Sequence, residues 1–389
     1  MSGGAVEVRT ALWRGRGMQA LIGVTVLGFA SFCLTLASLP VYAVTGGAAA
    51  STAGVVTAVF LVVTVAVQAT IPALTVRFGV GPVLVAGLVA MGLPAPFYVL
   101  DDGLAWICAL SAVRGAGFAV LTVLGATLAA RVAPPERRGE SVGLYGLAIA
   151  IPNLAAVPAG VALVLDGHVG WLSWLAASPL LGAFLVPLLV RSVAPEPGPG
   201  PAGSGRAAVR AALAPSAVLL LVTMAGGGVV TFLPIERPDG VLATVALMVF
   251  GITGAITRWR AGALSDRLGT RLLLPLALVV AAVGLVATGI GLSGDDVWVL
   301  VGVAVFGAGY GATQNLTLVA AFARAGEGGT TTASAMWNAS FDTGTAFGAL
   351  ALGFVAAGIG LDWTYVVVAA LLAAALPLAS AAARAAVRV

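Results

Sequence analysis

Long runs of apolar residues, separated by short polar stretches, cover almost the whole chain. A helix that crosses a bilayer needs ~20 mostly apolar residues. Twelve runs meet this length: residues 18–44, 50–74, 80–100, 103–131, 140–165, 170–190, 214–235, 240–259, 272–292, 297–323, 332–358 and 363–383. Strands of a membrane β-barrel would be about half as long and polar at every second residue. The pattern therefore predicts an all-α membrane protein with twelve transmembrane helices.

The basic residues indicate how these helices are oriented. All but two of the 19 basic residues, every one an arginine, lie at the termini or in the loops on one side of the predicted helices. Because positive charge near helix ends is retained in the cytoplasm, both termini are expected there. Away from the helix ends, one arginine, Arg114, and one carboxylate, Asp342, remain inside the predicted helices.

The composition excludes a soluble domain. The chain is 60% hydrophobic and 9% charged, with a mean hydropathy of +1.09, which is more apolar than a soluble core requires. The net charge of +4 follows from the topology and gives no reason to expect a nucleic acid partner. The first run is longer than the apolar core of about 7–15 residues in a signal peptide, so we expect it to remain as a span. A multi-pass monomer in the cell membrane is expected.

A break rich in proline and glycine separates six runs from six more, a composition typical of a spacer. The predicted domains are a cytoplasmic N-terminus (1–17), a six-helix half (18–190), a cytoplasmic linker (191–213), a second six-helix half (214–383) and a cytoplasmic C-terminus (384–389). The polar stretch 260–271, predicted to be a turn, has a weaker copy at 72–79, 190 residues earlier. The glycines at 307 and 309 repeat those at 115 and 117, at an offset of 192. Such repeats place a binding site between the halves near the middle of the membrane.

The polar stretch between the eighth and ninth runs carries a sequence motif. It contains Gly262, Asp266, Arg267, Gly269 and Arg271 in the pattern G-x-x-x-D-R-x-G-x-R. With the arrangement of six runs and six more, this motif resembles the signature of the major facilitator superfamily. Arg114, followed by Gly115 and Gly117, is similar to the arginine motif in the fourth helix of that superfamily. The resemblance implies two pseudo-symmetric six-helix halves and secondary transport.

Asp342 lies midway along the eleventh run, with Asn338 and Thr345 on the same helical face. A carboxylate at the bilayer centre costs ~2.5–3.5 kcal/mol on insertion scales, so it is expected to face a water-filled cavity or a partner. One interpretation is a proton-coupling group that exchanges a proton during transport. The other is a carboxylate that bonds a neighbouring helix and never titrates.

Arg114 stays charged under all biological conditions and therefore needs acceptors or an anion. The candidates are Asp342, a group of backbone carbonyls and an anionic group of a substrate. In the resembled superfamily the corresponding arginine is implicated in proton coupling. That role would agree with a pairing of Arg114 and Asp342 across the two halves.

Polar side chains away from the helix ends are the candidates for substrate binding: Tyr145, Asn153, Tyr310, Gln314, Asn315 and Asn338. Gln314 and Asn315 point about 100° apart on a helix, so one of the two is expected to reach a cavity.

The stretch 260–271 and its copy predict a conformational latch that favours the state in which the halves are closed at the cytoplasmic face. Its residues are Gly262, Asp266, Arg267, Gly269, Arg271, Arg77 and Gly79. The alternative is a tight turn that only enforces the topology.

These features favour a secondary transporter that works by alternating access. We expect proton-coupled efflux of a drug-like molecule or small organic metabolite, because the candidate cavity residues are few and mostly uncharged. Uptake of a small organic solute is the alternative, and a receptor that does not transport is a further one. An enzyme is not expected, since the predicted helices hold one aspartate and the sole histidine, His168, lies in an outer loop. The expected partners are the substrate, protons and the lipid bilayer, with no cofactor and no metal.

Overall fold

The computed structural model describes residues 11–48, 50–193, 204–236 and 241–384. These residues are helical nearly throughout and contain no strand. Among the described residues, ten helices are long and apolar enough to cross a membrane, and two pairs of bent helices, each counted as one span, bring the number to twelve. The prediction of an all-α protein with twelve transmembrane helices is therefore confirmed, and we number them span 1 to span 12. Most of both predicted termini and residues 194–203 of the predicted linker lie outside the described residues.

Spans 1 to 6 form the N-terminal half. Their helices are Arg16–Leu36 with Ser38–Thr45 (span 1), Ala50–Gln68 with Ile71–Phe78 (span 2), Val80–Gly92 with the 3-10 helix Ala95–Leu100 (span 3), Leu104–Arg131 (span 4), Arg138–Leu165 (span 5), and Val169–Leu175, Pro179–Ala183 and Val186–Arg191 (span 6). The short helices Leu12–Arg14 and Pro135–Arg137 precede spans 1 and 5. Span 6 is divided where prolines begin new segments, because proline lacks the N–H group that would continue a helix.

Spans 7 to 12 form the C-terminal half. Their helices are Ser204–Glu236 (span 7), Val241–Leu268 (span 8), Thr270–Leu292 (span 9), Asp296–Ala325 (span 10), Thr330–Ile359 (span 11), and Leu361–Ala374 with Leu376–Ala382 (span 12). The short helix Glu327–Gly329 joins spans 10 and 11. Residues 204–213, which were predicted as linker, are the first turns of span 7.

Single glycines form the turns that end spans 2 and 8. Gly79 and Gly269 have φ angles of 82° and 76°, in the left-handed region that glycine reaches without strain. Span 8 stays helical through Leu268. The interpretation of the polar stretch 260–271 as a turn is therefore wrong for most of its length, because the chain reverses at Gly269 alone. The same conformation at two positions 190 residues apart agrees with the repeat.

The two halves pack together at one end of the bundle. We call the end that holds Gly79 and Gly269 the inner end. There the apolar core of the N-terminal half continues into the C-terminal half through Leu219, Leu318, Phe322, Ala333 and Trp337. The remaining core of the C-terminal half consists of its own residues. Contact between the halves therefore depends on the inner parts of spans 7, 10 and 11 and on the side chains described next.

Candidate functional site

Spans 5 and 8 approach each other closely between the halves at the inner end. A Cβ atom built on Gly262 would overlap the carbonyl oxygen of Gly139, and one built on Gly143 would lie 2.7 Å from the carbonyl oxygen of Trp259. Small residues permit helices to approach this closely. We call this region, together with Asp266, the inner contact.

Asp266 binds the N-terminus of span 5 across the inner contact. Its carboxylate accepts hydrogen bonds of 2.8 Å from the backbone N–H groups of Gly139 and Glu140, in the first turn of the helix Arg138–Leu165. N–H groups in a first turn have no acceptor in their own helix, and the helix dipole favours an anion there. A salt bridge of 2.9 Å joins Arg137 to Glu140 beside them. Asp266 thus ties the C-terminal half to the N-terminal half.

The other residues predicted for the latch do not bond across the inner contact. Arg77, Arg267 and Arg271 are exposed, and within the described part of the chain none of them forms a hydrogen bond or a salt bridge. Gly79 and Gly269 form the two turns. Of the predicted set, Gly262 and Asp266 are the residues that meet the opposite half.

A cavity of about 280 Å³ lies between the halves, outward from the inner contact. Spans 5, 8, 10 and 11 line it, mostly with apolar side chains. Its polar lining consists of Asn153, Arg258, Tyr310 and Gln314. The helical rise of 1.5 Å per residue places Asn153 ~21 Å outward from Gly139. The cavity therefore lies further from the inner end of the bundle than the inner contact does.

Three of the six predicted substrate-binding residues line this cavity, namely Asn153, Tyr310 and Gln314. Of the adjacent pair on span 10, Gln314 reaches it, whereas Asn315 is fully buried with no hydrogen-bond partner in the described part of the chain. Tyr145 and Asn338 also face away from it, since each bonds the carbonyl oxygen of Thr122 at 3.4 Å. Tyr145 and Asn338 thus connect their helices to span 4.

Arg258 is a second arginine inside the membrane part of the bundle. The expectation that Arg258 lies with the charged residues at the helix end is wrong, because the residue is 9% exposed and lines the cavity. Its Nη1 donates a hydrogen bond of 2.9 Å to Oε1 of Gln314, and its guanidinium lies 5.9 Å from the ring centre of Trp337. The 100° step of the helix puts Arg258 and the exposed Arg260 on different faces, which is the signal that could have separated them.

Arg114 is fully buried within the N-terminal half. It donates hydrogen bonds to the carbonyl oxygens of Met91 and Ser31 at 3.0 and 3.2 Å, to the Ser31 hydroxyl at 2.8 Å and to the Tyr98 hydroxyl at 3.4 Å. Within the described residues it forms no salt bridge with Asp342. Of the three candidate partners, the structure therefore favours the carbonyl group, and the proposed pairing of Arg114 with Asp342 is wrong.

Asp342 instead bonds a neutral side chain of the other half. Its Oδ2 accepts a hydrogen bond of 2.9 Å from Nε2 of Gln68, which is fully buried at the end of the first helix of span 2. The two helices of span 2 meet at 55° just after Gln68. On the same span as Asp342, the Ser334 hydroxyl bonds the carbonyl oxygen of Val123 at 2.7 Å. Span 11 therefore contacts the N-terminal half at two levels.

Comparison with solved structures shows the same fold. The transporter FucP, a fucose:proton symporter from E. coli, matches in its outward conformation with a TM-score of 0.78 and 14% identity, over 94% of this chain and 98% of FucP. The human organic anion transporter MFSD10 (TETRAN) matches with a TM-score of 0.74 and 18% identity, over 94% and 99% of the two chains. The proton:xylose symporter XylE matches with a TM-score of 0.70 and 16% identity, over 93% and 94%.

Comparison of the sequence alone identifies the family. No curated protein matches this chain. The family model described as Major Facilitator Superfamily matches residues 20–342, a range that includes most of span 1, spans 2 to 10, and span 11 as far as Asp342. The resemblance carried by the motif at Gly262–Arg271 is therefore confirmed. This chain belongs to the Major Facilitator Superfamily of membrane transporters.

Proposed function

We propose that this chain is a proton-coupled exporter of a drug-like molecule or small organic metabolite, which works by alternating access between its two halves. The observation that carries this proposal is the hydrogen bond between Asp342 and Gln68. It joins the one titratable side chain in the interior of span 11 to the opposite half.

Protonation of Asp342 would change this contact directly. The carboxylate has a neutral amide as its partner, so its negative charge is not balanced by a cation. An unbalanced charge away from water is costly, and a proton removes that cost. Because Gln68 belongs to the other half, the proton would change the energy of the contact between spans 2 and 11. Proton binding to Asp342 could therefore change the relative position of the two halves.

The inner contact would act as the latch of this cycle. Asp266 holds the N-terminus of span 5 only while the halves are closed at the inner end. Opening that end would replace these hydrogen bonds by bonds to water. The cavity would then become accessible from the inner end. We assign substrate binding to three residues that line it, Asn153, Tyr310 and Gln314. Arg114 would hold spans 1, 3 and 4 together within one half.

Proton movement in reconstituted vesicles tests this function without a known substrate. Proteoliposomes are loaded with the pH dye pyranine, and neutral, anionic and cationic small molecules are added outside one at a time. A compound that enters in exchange for protons makes the lumen alkaline, whereas one that enters together with protons makes it acidic. Export by antiport therefore predicts an alkaline change, and uptake by symport predicts an acidic one.

Asp342→Asn is the matched variant, because the amide can keep a hydrogen bond to Gln68 but cannot titrate. It should abolish the pH change and retain exchange of labelled substrate between the two sides. Vesicles without protein control for passive entry of weak acids and bases. If Asp342→Asn moves protons as the wild type does, the coupling role is wrong. A compound that raises the unfolding temperature but never moves protons or itself would identify a receptor.

A further inference from the structure

We infer that Arg258 binds an anionic group of the substrate in the cavity, so that the transported class is a small organic anion with an apolar body. This inference rests on the proposed transport function and names the substrate class of the same cavity.

The guanidinium of Arg258 has most of its hydrogen-bonding capacity free. Arginine carries five N–H donors, and the one hydrogen bond that Arg258 forms with the described residues goes from Nη1 to Gln314. Its Nε is buried without a partner. Within the described part of the chain it forms no salt bridge. A buried cation without an anion is costly, so an anionic group of a ligand would stabilise Arg258.

The cavity around Arg258 can accept that counter-charge. No acidic residue of the described part of the chain lines it, and Asp342, next in sequence to the lining residue Phe341, bonds Gln68 instead. Tyr310 also lines the cavity, and its hydroxyl has no hydrogen bond within the described residues. A planar guanidinium beside a hydroxyl donor suits a carboxylate, sulfonate or phosphate.

The rest of the cavity indicates an apolar body on the ligand. Phe250 and Tyr310 lie with ring centres 5.1 Å apart, and Phe341 closes the lining from span 11. Leu154 and Ile149 add aliphatic surface from span 5. A mostly apolar lining with a few converging polar groups is typical of a ligand pocket. An aryl or alkyl anion fits this combination better than a sugar, whose many hydroxyl groups would lack partners.

Binding to the purified full-length protein tests the inference, with ligands matched in shape. 2-Naphthoate and 2-naphthalenesulfonate are compared with neutral 2-naphthamide, and the unfolding temperature is followed against ligand concentration. We expect at least one anion to raise it and the amide to have no effect. Arg258→Met should weaken anion binding about tenfold to a hundredfold, the range for loss of charge-assisted hydrogen bonds. Arg260→Met removes an exposed arginine of the same span and should bind like the wild type.

Two further variants keep the test decisive if Arg258→Met does not fold. Arg258→Lys keeps the charge but not the planar fork, and Tyr310→Phe removes only the hydroxyl, so each should weaken anion binding by a smaller factor. The inference is overturned if neither anion binds, if the amide binds equally well, or if all Arg258 variants bind as the wild type does. Anion binding without movement of protons or of the anion would instead overturn the transport function. Proton movement with neutral or cationic compounds alone would overturn the anion site and leave transport in place.

Discussion

Asp266→Ala should shift the protein toward the state that is open at the inner end. The substitution removes the acceptor of the two hydrogen bonds of 2.8 Å from Gly139 and Glu140. It leaves the glycine contact between spans 5 and 8 in place. The matched control is Val76→Ala, since Val76 stands at the repeat position of Asp266 and is 70% exposed.

The size of the shift follows from these two bonds. A hydrogen bond to a charged group contributes ~1.5–3 kcal/mol. The low end applies because Asp266 is half-buried, which gives ~3 kcal/mol for the pair. Since ~1.4 kcal/mol is a factor of ten, the closed state should lose roughly 100-fold in population relative to the open state. Asp266→Asn keeps an acceptor but loses the charge, and should cost about half as much, or roughly tenfold.

Distances between spin labels measure this shift. Labels on the exposed residues Glu136 and Leu272 report the separation of the halves at the inner end, in a background without Cys33 and Cys108. The wild type and Val76→Ala should share one dominant short distance, and Asp266→Ala should add a long one. If Asp266→Ala and Val76→Ala give the same distribution, Asp266 is not a latch and the stretch only fixes topology.

Other contacts support predictions of the same kind. Gly262→Ala should also populate the long spin-label distance, because its methyl group would overlap the Gly139 carbonyl, whereas Gly81→Ala, with a nearest contact of 3.6 Å, should not. Arg114→Met should lower the free energy of unfolding by ~3 kcal/mol or more, because it removes four buried hydrogen bonds from a charged donor; an unchanged denaturation midpoint would contradict this. Arg258→Met should stabilise the ligand-free protein by about 1 kcal/mol, since it removes an unpaired buried cation, and a lower midpoint would count against that reasoning.

The helices and their number could be predicted because the formation of each one depends only on its own stretch of sequence. A run of ~20 apolar residues can satisfy its backbone in a bilayer only as a helix, whatever its neighbours are. The glycine at the end of a span is also a local signal, as Gly79 and Gly269 show. The polar stretch before Gly269 is helical although its charge predicts a turn, because the last turns of a span lie at the interface, where charge is tolerated.

The partners of the buried charges could not be predicted, because they depend on how the spans are arranged around each other. Arg114 and Asp342 are the two charged residues in the middle of apolar runs, yet they do not bond each other. Arg114 bonds a backbone carbonyl of span 3, and Asp342 bonds the neutral side chain of Gln68 on span 2. The burial of Arg258 could not be recognised from charge alone, because the exposed Arg260 follows two residues later in the same helix. The angle of about 100° between Gln314 and Asn315 predicts that one of them reaches the cavity. Which one does so depends on where the cavity lies in the fold.

The residues of span 8 explain how the cavity and the latch can act as one unit. Arg258, Gly262 and Asp266 follow one another at intervals of four residues, so they share one face of a rigid helix. That face meets a row of glycines on span 5: a Cβ atom on Gly146 would lie 2.8 Å from Cδ of Arg258, and Gly139 meets both Gly262 and Asp266.

Separating spans 5 and 8 at the latch must therefore also move the stem of Arg258 away from span 5. A ligand anion that pairs with Arg258 would alter the energy of the same helix contact that Asp266 secures, ~12 Å further along the helix by its rise of 1.5 Å per residue. Coupling between substrate and latch then needs no relay through other residues, since both act on one helix pair. The proposed proton site at Asp342 and Gln68 lies on a different helix pair that joins the halves, spans 2 and 11. Substrate and proton would thus bias the same movement of the halves from separate contacts.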